Sequence, residues 1–147
     1  MLTARIPALK SWTAQFRIGE SSKAIGELGG HRQLGRWWFD GGQFPKPILD
    51  NSGRPIGLML GTAIDHRQKL LADGPIRFDL PADPTRRDQA IEEFLDRFGG
   101  SWLCALVAEG LERIYLDADG TLSLVYDPGQ RAAASTTGLL RHSGKSA

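Results

Sequence analysis

The sequence predicts an α+β fold of layered antiparallel sheets with flanking helices, on three observations. One segment, Asp83–Phe98, carries a complete helix signature. Apolar segments of strand length lie on both sides of it, at Ile56–Ile64 and Trp102–Ala108. Turn-forming residues such as Asp119-Gly120 then join short strands at hairpin spacing.

Taken in order, Trp12–Ile18 opens as a strand. Trp12, Ala14, Phe16 and Ile18 alternate with Thr13, Gln15 and Arg17, which is the period of a half-buried strand. Ser21–Leu28 can start a short helix at Ser21 or Ser22 and stop at Gly29-Gly30. Leu34–Phe39 suits a strand, broken by Asp40-Gly41-Gly42. From Gln43 to Pro55 the chain is punctuated by Pro45, Pro47, Asn51, Gly53 and Pro55, which predicts a loop or meander. Ile56–Ile64 is apolar throughout and reads as a strand covered on both faces.

The helix has the physical parts a helix needs. Asp83 is placed as N-cap, Pro84 follows where its missing N–H is harmless, and Asp88 lies toward the positive end of the dipole. Ile91, Phe94, Leu95 and Phe98 form one apolar stripe, while Glu92, Glu93 and Asp96 face water. Glu93 and Arg97 are spaced for an exposed pair, and Gly99-Gly100 reads as the stop. Trp102–Ala108 follows as a strand between two layers, with Trp102 and Cys104 on one face. Ile114–Leu116 and Leu122–Tyr126 form a hairpin, Arg131–Ser135 adds a short strand, and residues 141–147 read as a loose tail. Residues 1–140 are expected to form a single domain.

Composition narrows the function classes. With 147 residues, 41% of them hydrophobic, the chain can bury a core. Its 18 Lys plus Arg nearly balance 17 Asp plus Glu, and the 13 arginines are scattered from Arg5 to Arg141, so a nucleic-acid partner is not expected. Cys104 is the only cysteine, which excludes an internal disulfide and a cysteine-built zinc site. The N-terminal segment has no apolar run of signal-peptide length, and no segment has 18 uninterrupted apolar residues. A soluble, cytoplasmic protein without a membrane partner is the expectation.

Motifs that could carry chemistry fail on spacing. Gly144-Lys145-Ser146 lies one residue too far from Gly138 for a phosphate loop, and no helix follows it. Asp117-x-Asp119-Gly120 would place Tyr115 and Tyr126 at the outer ligand positions of a calcium loop, and neither can serve. His31, His66 and His142 are far apart and none neighbours Cys104, so no metal site, no cofactor and no Cys–His pair is expected. Trp37-Trp38-Phe39 can pack a core or offer a contact surface. In a strand the three cannot line one pocket.

LMLGTAID, the helix Asp83–Phe98, GGSWLCAL, IYLDADGTLSLVY and RAAASTTGLL together set up a resemblance over about 85 residues. From Ile56 onward the chain resembles the glutaminase-type N-terminal domain of asparagine synthetases, in the degenerate form found in amide-forming relatives such as lasso-peptide cyclases. That family joins a strand with an Asn-Gly turn, an acidic-capped helix, a GxFAxAL strand, an RDxxGxxPLYY hairpin and a strand entering FASELKAL. The resemblance implies an N-terminal-nucleophile hydrolase-like fold.

It also implies a vestigial pocket. The Asn-Gly falls on Leu60-Gly61, the helix cap on Asp83, and the RD pair on Leu116-Asp117, so Leu60, Gly61, Asp83 and Asp117 are the candidate ligand-binding positions. Active members place a cysteine directly after the initiator Met, where this chain reads Leu2, and use the Asn as an oxyanion donor, where it reads Leu60. Glutamine hydrolysis needs nucleophile, base and oxyanion donors together, so no catalytic residue is expected. The implied role is a non-catalytic domain, or fragment, supporting an ATP-dependent amide-forming synthetase domain or protein. The alternative is a stand-alone module binding a small ligand or peptide.

Overall fold

A computed structural model of the chain describes residues 16–20, 31–41, 45–67, 70–71, 74–118, 122–129 and 131–135. These residues form two compact units, one drawn from Met1–Gln43 and Leu122–Ala147, the other from Phe44–Thr121. The expected layered α+β fold with flanking helices is not what forms. The described residues hold eleven strands and one helix, arranged in one antiparallel and one mixed sheet. The physical reason is that two segments read otherwise, Leu34–Phe39 and Gln43–Pro55, add strands to the sheets.

In the first unit, β1 (Phe16–Gly19), β2 (His31–Leu34), β3 (Trp37–Gly41), β10 (Val125–Asp127) and β11 (Ala132–Ala134) form a five-stranded sheet in the order β10-β11-β1-β3-β2. The single strand expected at Leu34–Phe39 is a hairpin, with Leu34 opposite Trp37 across Gly35-Arg36. β1 lies between β11 and β3, so its backbone is paired on both sides. The residues expected to extend it from Trp12, and the helix expected at Ser21–Leu28, lie outside the described residues.

The second unit is a six-stranded sheet. It contains β4 (Lys46–Leu49), β5 (Pro55–Asp65), β6 (Leu70–Leu71), β7 (Ile76–Arg77), β8 (Phe98–Ala108) and β9 (Leu111–Leu116). The order is β7-β4-β5-β8-β9, with β6 also on β5. All neighbours are antiparallel except β4 and β7. The stretch Gln43–Pro55, expected as a loop or meander, contains the strand β4. Pro47 is accommodated because β7 joins β4 only from Ile48 onward.

A two-residue to one-residue shift after Ile48 ends the β4–β5 ladder. Asp50 closes the turn beyond it. Its carboxylate accepts from Ser52 Oγ at 2.6 Å and from the Ser52 and Arg54 amides at 2.9 Å. These donors, the Ser52 hydroxyl first, lower its pKa from 3.8 to about 2.

The helix α1 (Pro84–Leu95) begins as its sequence dictates. Asp83 Oδ1 accepts from Thr85 N at 3.0 Å, and Pro84 occupies the first turn. It stops earlier than the glycines. Asp96 and Arg97 turn the chain, and Phe98, Gly99 and Gly100 are already strand β8. Ile91 and Phe94 are buried against Ile48, Met59, Trp102, Cys104, Leu106 and Leu111, so the helix covers one face of this sheet. Phe94 stacks on Phe78 at 4.2 Å and meets Phe98 edge-on at 5.3 Å. The other face carries Leu58, Leu60, Leu103 and Ala105, also buried. The expectation that Ile56–Ile64 and Trp102–Ala108 are covered on both faces holds, except that Ile64 is 41% exposed.

Gly100 is required where it stands. Its φ is +92°, and a Cβ there would lie 2.3 Å from the Thr62 carbonyl oxygen on β5. Gly100→Ala should cost about 1–3 kcal/mol from backbone strain alone. Gly74, with nothing within 4 Å of a built Cβ, should accept alanine within about 0.5 kcal/mol. Urea denaturation of the two variants checks this, and equal midpoints would refute it. The Asp50 turn gives a pH signature. A carboxyl whose folded pKa lies below its unfolded value stabilises the fold above about pH 4 and loses that contribution as pH falls toward 2. Asp50→Asn should flatten the acid-unfolding profile in that window.

Candidate functional site

The four candidate positions do not converge on one site. Leu60 and Gly61 are neighbours in β5, facing opposite sides of the sheet. Leu60 is buried, opposite Leu103, which in turn faces Leu116 on β9. Gly61, with φ +93°, lies opposite Trp102. Asp117 follows the end of β9 and returns to the same residue. Its amide donates to the Trp102 carbonyl at 3.1 Å, while its Oδ2 accepts from the Trp102 amide at 3.1 Å. Gly61, Trp102 and Asp117 thus form one row across the sheet, on the face that α1 covers. Asp83 stays apart at the helix start, exposed and occupied with capping.

Lys46, opposite Met59, reaches this row with its side chain and was not foreseen. It is buried at 5% exposure, and its Nζ donates to the Gly61 carbonyl at 3.4 Å. Read as part of a proline-punctuated loop, it carried no sign of facing inward. An inward lysine needs the strand assignment first, because only alternation with Ile48 puts it on the core face. Trp102 is fixed further by its indole, which donates to the Phe98 carbonyl at 3.2 Å. A buried cation and a buried carboxylate therefore flank the paired backbone of Gly61 and Trp102.

Asp117 is well placed to do structural work. β9 ends at Leu116, so the Trp102 amide would otherwise face a vanished neighbour, and the carboxylate supplies the acceptor. Asp117 thus ties a strand end.

Two ion pairs, one buried and one part-buried, were misread. Arg17, assigned to the polar face of its strand, is buried and bonds Asp40 at 3.0 Å, directly opposite it on β3. The expected Glu93–Arg97 pair is replaced by Arg97–Asp65 at 2.7 Å, linking the end of α1 to the end of β5. Gln89 takes Glu93 instead, at 3.0 Å. Arg97 also lies over the rings of Phe94 and Phe98, 5.9 and 5.3 Å from their centroids. Of the aromatic trio, Phe39 is buried while Trp37 and Trp38 are half-buried, with Arg36 over Trp37 at 5.3 Å.

Cys104 faces the helix-covered core with Trp102, as its alternation required, and has no exposed surface. Burial pushes its thiol well above the ordinary range. Among the described residues, no three of His, Cys, Asp and Glu are grouped so as to hold a metal ion, and no helix is long and apolar enough to cross a membrane.

Two measurements follow. Asp117→Ala leaves the buried Trp102 amide without its acceptor and should destabilise the fold by about 1–3 kcal/mol in urea. An unchanged midpoint would show that the carboxylate does not hold the strand end. Cys104 should react with a thiol reagent only as the protein unfolds, so labelling in native buffer should be slower than in denaturant by orders of magnitude. Cys104→Ser should cost about 1–3 kcal/mol and Cys104→Ala less, because serine adds a polar group to an apolar site.

No protein-family model, curated protein or solved structure matches this chain.

Proposed function

We propose that the chain is a non-catalytic, asparagine-synthetase-type domain, acting in the cytoplasm in support of an ATP-dependent amide-forming ligase. The support is the order of segments 56–140, which resembles that family. One observation carries the non-catalytic half of the reading: among the described residues, Leu60, Asp117 and Cys104 are built into the sheet. Leu60 offers a buried alkyl chain in place of an amide donor. Asp117 spends its carboxylate on the Trp102 amide. The only thiol, Cys104, is sealed in the core with its ionisation suppressed. A nucleophile must present a thiolate or hydroxyl to substrate beside a base, and Cys104 does neither.

The test is reconstitution. The purified chain, incubated with glutamine in a coupled ammonia assay, should release no ammonia. Added to a synthetase encoded beside it, the chain should raise ATP-dependent amide formation by that enzyme. Glutamine turnover abolished by Cys104→Ala would refute the first half. A synthetase indifferent to the chain would refute the second, and a thermal shift with amino acids or a peptide alone would then favour a binding module.

A further inference from the structure

We draw no further inference here: the strongest candidate, the outer edge of the six-stranded sheet along β9 with its exposed Leu116, carries nothing because nothing in the structure shows what covers it.

Discussion

The pairing of β5 with β8 is the constraint on which the second unit depends. Nine consecutive residue pairs, from Gly57 opposite Leu106 to Asp65 opposite Phe98, run without a shift. Each one-residue slip would exchange Met59, Trp102 and Cys104 with Leu58, Leu60 and Leu103 between faces, so the register is strongly specified. Everything else in the unit attaches to this pair. β4 and β9 extend it on either side, and α1 spans the connection between its two strands and returns its apolar stripe to one face. Gly100 belongs to the same constraint, since its missing side chain lets the β8 backbone lie against Thr62.

Polar groups in both units tie strands and helix together at fixed places. Taking two charges out of water costs several kcal/mol per ion in effective terms, and a buried pair recovers that only with good geometry. Arg17–Asp40 joins directly opposed residues, and Arg97–Asp65 joins two element ends. Each ties two elements at one place. Lys46 and Asp117 do the same on the helix-covered face, by gripping backbone atoms of β5 and β8. The residues most suggestive of chemistry are thereby committed to architecture.

How much was legible in the sequence follows from which signals are local. The cap at Asp83, the stripe through Ile91 and Phe94, and the strands at Ile56–Ile64 and Trp102–Ala108 were readable because periodicity and capping act within a few residues. The end of α1 was not. Gly99-Gly100 looks like a stop, but the chain leaves the helix at Leu95, and the glycines serve a close approach to β5. Pro45 and Pro47 hid a strand whose place is decided by tertiary pairing. Arg17 looked solvated because its partner Asp40 lies 23 residues away. Of the four candidate positions, Gly61 and Asp117 share a row with Trp102. Lys46 was not legible, and Leu60 and Asp83 turned out to face elsewhere. The fold class failed because Leu34–Phe39 is part of a hairpin and β4 formed in the proline-punctuated stretch, so the described residues are predominantly sheet.

The strand β1 is stitched to β11 near the other end of the chain, with the Phe16 amide bonded to the Ser135 hydroxyl across 119 residues. On a ribosome, roughly 6–24 s of synthesis at about 5–20 residues per second separate the appearance of these two partners. The intervening sheet has all its strands within Phe44–Thr121 and is free to form in that interval. Until β11 emerges, β1 has one side of its backbone without its final neighbour, and that open edge is exposed to wrong pairing.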